Sequence, residues 1–141
     1  MLSVLRRYPF SVVVFIAILY LSFFRPPEMK VDTGWISLDK LAHLCMYGGL
    51  SVVVWLERYR DLRRSHKLTR RPRRGDWCLG LAFPVVLGGL IEIAQGTLTT
   101  HRSGDVDDFV ANAVGAVIAS ALAYVVWRRI SRTAEDDITT C

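Results

Sequence analysis

Cysteine is scarce in this chain of 141 residues, and each one stands alone: Cys45, Cys78 and Cys141 include no C-x-x-C pair. That spacing excludes a zinc ribbon, a thioredoxin-like redox pair and a fold stapled by disulfides. Cys45 and Cys78 fall inside or at the edge of apolar runs, so both are expected to be small buried hydrophobes. The terminal ITTC ends in its cysteine and is not a prenylation box, whose cysteine stands four residues from the end. No H-x-x-x-H or E-x-x-H occurs. Although His43, His101, Asp39, Glu92 and Asp108 are ligand types, spacing alone assigns no metal. Ser103 lacks the setting of a nucleophile elbow, which speaks against a serine hydrolase. Acidic residues are also in deficit, 13 against 18 basic ones, for a formal net charge of +5.

What the chain has instead is grease. It is 52% hydrophobic, more apolar than most soluble domains of this size, and its mean hydropathy is +0.29. The apolar residues are gathered into four runs: residues 8–24 (YPFSVVVFIAILYLSFF), 38–56 (LDKLAHLCMYGGLSVVVWL), 77–98 (WCLGLAFPVVLGGLIEIAQGTL) and 109–127 (FVANAVGAVIASALAYVVW). Each is near the ~20 residues that cross a ~30 Å hydrocarbon core. The expectation is a single domain over 1–141: an all-α, polytopic membrane protein with a four-transmembrane-helix bundle. The first run follows Arg6 and Arg7 like a signal sequence, but FFRPPE is a poor cleavage site, so it reads as an anchor that stays.

Charge sets the expected orientation. The segment between the second and third runs, about 57–76, holds nine basic residues: Arg58, Arg60, Arg63, Arg64, Lys67, Arg70, Arg71, Arg73 and Arg74. A nucleic-acid patch is the sharper reading; a cytoplasmic loop obeying the positive-inside rule is the plainer and preferred one. With both termini and this loop inside, N-in/C-in, 14 of the 18 basic residues are cytoplasmic. The expected partners are then the lipid bilayer, with anionic lipids at the basic loop, and no nucleic acid. Trp35, Trp55, Trp77 and Trp127 fall near span ends, where interfacial aromatics are expected. Pro26 and Pro27 stop the first helix, and Pro84, among glycines, is expected to kink the third.

The polar residues inside the spans carry the functional reading. Asp39, His43 and Tyr47 are spaced i, i+4, i+8; Glu92 and Gln95 are i, i+3; Asp108, Asn112 and Gly115 are i, i+4, i+7, so each set shares one helix face. In the N-in topology His43 and Asn112 lie about one turn, ~6 Å, below the outer ends of their helices, and Glu92 lies at a similar depth. Three helices are thus expected to bring polar faces to one level in the outer leaflet, while the cytoplasmic halves (VVVWL, LGLAF, AYVVW) look plain. Ionisable groups at membrane depth cost ~2.5–3.5 kcal/mol each on insertion scales, so they face the bundle and mark a candidate site. Interhelical glue is the competing reading, at ~0.6–2 kcal/mol per hydrogen bond. Glu92 and His43 are the expected centre, fit for acid–base chemistry. Asp39 and Asp108 orient it, Asn112 and Gln95 supply amides, and Tyr47 lines it. Arg102, Asp105 and Lys40 stand at the rim. Asp107 reads as a solvated helix-start charge and Gly115 as a close helix contact. Binding, catalysis and glue all remain open on these residues, and no cofactor is assigned.

The stretches DKLAHLCMYGGL, EIAQ and HRSGDVDDFVANAVG, in that order, resemble the VanZ-like family of small bacterial membrane proteins. Its pattern, D-K-x-x-H-x-x-x-Y, E-x-x-Q and R-x-x-x-x-x-D-x-x-x-N-x-x-G, is met by Asp39, Lys40, His43, Tyr47, Glu92, Gln95, Arg102, Asp108, Asn112 and Gly115, with Asp105 at a commonly acidic position. The usual glycine one turn beyond Gly115 is Ala119 here. The resemblance covers about residues 38–125. It implies a multi-pass protein of the bacterial inner membrane that binds or processes a cell-envelope amphiphile. The implied partner is a lipid-linked envelope precursor or a glycopeptide, since the family is named for a protein linked to teicoplanin resistance.

Overall fold

The computed structural model describes residues 6–24, 38–98 and 106–139, and among them there is helix and turn but no strand. Helix α1 spans Pro9–Phe24, α2 Leu38–Arg64, α3 Arg74–Trp77, α4 Phe83–Leu98 and α5 Val106–Thr139. A π-helical turn, Cys78–Ala82, joins α3 to α4, so that residues 74–98 form one continuous rod. Each of the four apolar runs falls on helix to within a residue. Two stretches, Arg74–Thr97 and Val106–Ser131, are long and apolar enough to cross a membrane. Helix α1 has 16 residues, about 24 Å at 1.5 Å per residue, short of a ~30 Å core. Helix α2 is longer, but its row of Asp39, Lys40, His43, Tyr47 and Ser51 dilutes its hydropathy.

Helix α2 is the centre of the bundle and packs against α1, α4 and α5. Its closest partner is α5, and two glycines make that possible. A Cβ on Gly115 would run into the Leu44 carbonyl oxygen, and one on Gly48 would come within 3.3 Å of the Gly115 carbonyl oxygen. The two backbones therefore touch, as small residues allow at helix crossings. The pairs Lys40–Asp107, His43–Asn112, Gly48–Gly115 and Ser51–Ser120 advance in step, so α2 and α5 run parallel. Helix α4 runs the other way: Glu92 stands by His43, while Gly80 of the preceding turn stands by Ser51. Ile18 of α1 closes the third side, against Tyr47, Leu50, Val54 and Ile91.

The irregularity expected at Pro84 is a π turn immediately ahead of it, and the hydrogen bonds explain its setting. Proline has no N–H, so the carbonyl of Gly80, four residues earlier, loses its α-helical donor. Ser51 Oγ and Ser120 Oγ donate to that carbonyl instead, at 2.5 and 3.2 Å. Gly80 itself is required by packing, since a Cβ there would collide with the Trp55 indole.

Three expectations are corrected. The tryptophans do not form an interfacial belt: Trp55 and Trp127 are buried, and Trp55 makes edge-on contacts with Trp77 at 5.2 Å and with Trp127 at 5.8 Å. Ring size and indole hydrogen bonds, from Trp55 Nε1 to Ser120 Oγ and from Trp127 Nε1 to the Thr69 carbonyl, draw them inward. Trp35 lies outside the described residues. The cysteines also differ, since Cys45 and Cys78 are both exposed on the outer surface of the bundle. Finally, the half expected to be plain is not, as the buried Ser51–Ser120–Trp55 layer already shows. The basic segment begins as the last turns of α2, which ends in a Schellman turn, with His66 in the left-handed region (φ 54°) and Lys67 N bonded to the Leu62 carbonyl.

Candidate functional site

The first turns of α2 and α5 and the last turns of α4 meet at one end of the bundle. His43 sits at their centre and is 3% exposed; Asn112, beside it, is 0% exposed. His43 Nδ1 is 3.1 Å from Asn112 Oδ1, and Asn112 Nδ2 donates to Glu92 Oε1 at 3.5 Å. That amide orientation leaves an oxygen toward the imidazole, so Nδ1 is the donor of the pair. The Glu92 carboxylate also stands 3.8 Å from Nδ1.

The other face of the imidazole meets two more carboxylates. Nε2 lies 3.7 Å from Asp108 Oδ2 and 4.0 Å from Asp39 Oδ2. Asp39 and Asp108 each stand in the first turn of their helix, beside N–H groups that have no helical partner. The ligand atoms of Asp39, His43 and Asp108 all lie within 4.8 Å of one another. Tyr47, one turn below His43, is 1% exposed, and its hydroxyl has no hydrogen-bond partner among the described residues. Gly88 lets α4 approach: a Cβ there would lie 3.1–3.2 Å from Asn112 and Tyr47 side-chain atoms.

The structure thus brings Asp39, His43, Glu92, Asp108 and Asn112 together, with Tyr47 beneath. It turns others elsewhere. Gln95 Nε2 donates to the Ser22 carbonyl at 2.8 Å, in the last turn of α1, and ties that helix to α4. Lys40 pairs with Asp107 at 2.5 Å across the mouth of α2 and α5, so Asp107 is a partner to a cation rather than merely solvated. His101, Arg102, Ser103 and Asp105 lie outside the described residues.

Sequence reasoning missed a second polar centre, at the opposite end. Glu57 on α2 is buried and accepts from Phe10 N at 2.9 Å, Ser11 N at 3.0 Å and Ser11 Oγ at 2.5 Å. It caps the N-terminus of α1, whose first N–H groups have no helical partner. Next to it, Arg58 Nε donates to the buried Asp76 at 2.7 Å, and Asp76 also accepts from Arg73 N at 2.7 Å. Burial works against the Arg58 charge, but hydrogen bonds to Asp76 and Tyr8 outweigh it and hold the guanidinium above its ordinary pKa. Within ERYRDLRR these charges looked like solvated loop. The available signal was that Glu57 directly follows an apolar run, on the helix face of Ser51 and Val54.

The model of the VanZ/LLP1 family matches residues 3–128. Neither a curated protein nor a solved structure matches the chain. The match takes in α1 as well as the three motif-bearing helices, and of the motif residues Asp39, Glu92, Asp108 and Asn112 converge on His43. The chain belongs to the VanZ/LLP1 family.

Proposed function

We propose that this chain is a four-span protein of the bacterial inner membrane, with both ends cytoplasmic, whose outer-leaflet cluster binds a cell-envelope amphiphile. The class proposed is a lipid-linked envelope precursor, and the link to glycopeptide resistance is proposed from the VanZ-like resemblance alone. The observation that carries the reading is the convergence of Asp39, His43, Glu92, Asp108 and Asn112 from three helices, at a depth one turn inside the outer ends. A buried tyrosine hydroxyl at the base offers one further donor. Two of the helices supporting the reading are membrane-capable by length and composition. In the four-span arrangement the basic segment from Arg58 to Arg74 faces the cytoplasm and anionic headgroups. His43 and Glu92 are suited to move a proton on the bound headgroup, so binding with turnover is a second form of the same reading.

The test is native mass spectrometry of the detergent-purified chain titrated with a long-chain prenyl phosphate, alongside teicoplanin susceptibility of cells expressing it. Binding lost in Asn112→Ala, and weakened several-fold in Glu92→Gln with melting unchanged, supports a binding site. Product formation abolished in Glu92→Gln while binding persists makes it an enzyme. A drop in Tm in both variants, with no bound amphiphile in any, reduces the cluster to helix glue and ends the proposal.

A further inference from the structure

We infer that Asp39, His43 and Asp108 form a site for a divalent metal ion of the zinc type, held at the outer end of α2 and α5. The inference deepens the proposed function and rests on the same cluster being a site rather than glue. It begins from the histidine. Asn112 presents its oxygen to Nδ1 because its nitrogen is turned to Glu92. Nε2 therefore faces Asp108 and Asp39, at 3.7 and 4.0 Å. One nitrogen and two carboxylate oxygens are thus gathered where a single divalent ion can share them.

The distances suit a small ion. Around a four-coordinate zinc with bonds of about 2.0–2.2 Å, neighbouring ligand atoms stand roughly 3.3–3.6 Å apart. The two gaps exceed that by a few tenths of an ångström, within reach of small rotamer shifts. All three ligand atoms already fall within 4.8 Å of one another.

The surroundings agree. Metal-binding histidines donate their second ring nitrogen to a fixed acceptor, which sets tautomer and ring orientation. Asn112 does this here, and Glu92 in turn fixes Asn112. The two carboxylates come from the first turns of their helices. One imidazole with two carboxylates favours a borderline ion such as zinc over magnesium or calcium, which take oxygen alone. Three protein ligands leave a fourth position, open to the phosphate oxygen of an amphiphile headgroup.

The test uses the full-length chain in detergent, stripped with chelator and titrated with Zn²⁺, and with Co²⁺ as a spectroscopic probe. The expected result is one ion per chain, with a d–d spectrum free of thiolate charge transfer. Binding should survive the paired change Cys45→Ser and Cys78→Ser, vanish in His43→Gln and Asp108→Asn, and weaken roughly 10–100-fold in Asn112→Ala. Unchanged binding in the His43 and Asp108 variants overturns the inference, as does loss of binding in the cysteine variant. If those two variants fail to fold, the half-exposed Asp39→Asn decides, and full affinity there is equally fatal. Prenyl phosphate binding that persists in the chelator-treated protein sinks the metal and leaves the proposed function standing. Zinc binding without any amphiphile does the reverse.

Discussion

The two ends of the bundle use the same residue types to opposite effect. At the basic end, Glu57 and Asp76 accept hydrogen bonds of 2.5–3.0 Å, most of them from backbone N–H groups at helix starts. At the other end, Asp39, Glu92 and Asp108 stand 3.7–4.0 Å from a single imidazole. The first arrangement closes on itself, because each carboxylate compensates orphan donors that its own fold creates. In the second, the imidazole bonds to Asn112 and the three carboxylates stand around it beyond hydrogen-bond distance of its nitrogens. The proposed function makes the first centre scaffold and the second a site, and the contrast between them within one small bundle is what can be tested.

The contrast breaks most directly at Glu57. Glu57→Ala strips the acceptor from Phe10 N, Ser11 N and Ser11 Oγ together. A buried group left unpaired costs about 1–3 kcal/mol, so this variant should show the largest fall in Tm of those considered, with α1 detaching first. Thermal melting in detergent reads it, and a Tm equal to wild type would show that Glu57 is not a structural cap. Metal and amphiphile binding below the melt should be unaffected.

A smaller effect is expected at the π turn. Ser51→Ala removes the shorter of two hydroxyl bonds to the Gly80 carbonyl, worth about 1 kcal/mol. The sharper measurement is a cycle with Pro84→Ala, which restores a backbone N–H to that carbonyl. The Ser51→Ala penalty should shrink in the Pro84→Ala background. An undiminished penalty would mean that the serine acts through its contact with Ser120 rather than by replacing the bond that proline removes.

The His43 cluster was legible in the sequence because its signal is periodic. Asp39, His43 and Tyr47 recur at helical spacing in an apolar run, where any polar residue is conspicuous, and so do Asp108 and Asn112. Which of them meet at His43 needed the Gly48–Gly115 contact, whose tight register no spacing reveals. The Asp39–His43–Asp108 geometry was hidden for the same reason: its third ligand comes from another helix. Gln95 shared a face with Glu92 but turned to Ser22, since the last carbonyls of α1 lack helical donors. The network at the basic end was illegible because Glu57, Arg58 and Asp76 sit in a charge-rich stretch, where a buried carboxylate looks like a solvated one. Tryptophan position likewise carried no direction; only packing told core from interface.

The finest test of the contrast is Asp108→Asn, where two small effects oppose each other. Asp108 stands in the first turn of α5, and losing a charge there costs about 0.3–1 kcal/mol. Against that, the variant leaves two carboxylates instead of three around His43, which relieves like-charge repulsion in an apolar setting. In the metal-free protein the net change in stability should stay within about 1 kcal/mol and can be favourable, as is common when a functional residue is removed. Added Zn²⁺ should then raise the Tm of the wild type but not that of the variant, because only a state that binds the ion is stabilised by it. Melting curves with chelator and with zinc measure both effects in one experiment. A metal-free loss as large as that of Glu57→Ala would make Asp108 part of the scaffold, and the two ends of the bundle would no longer differ in kind.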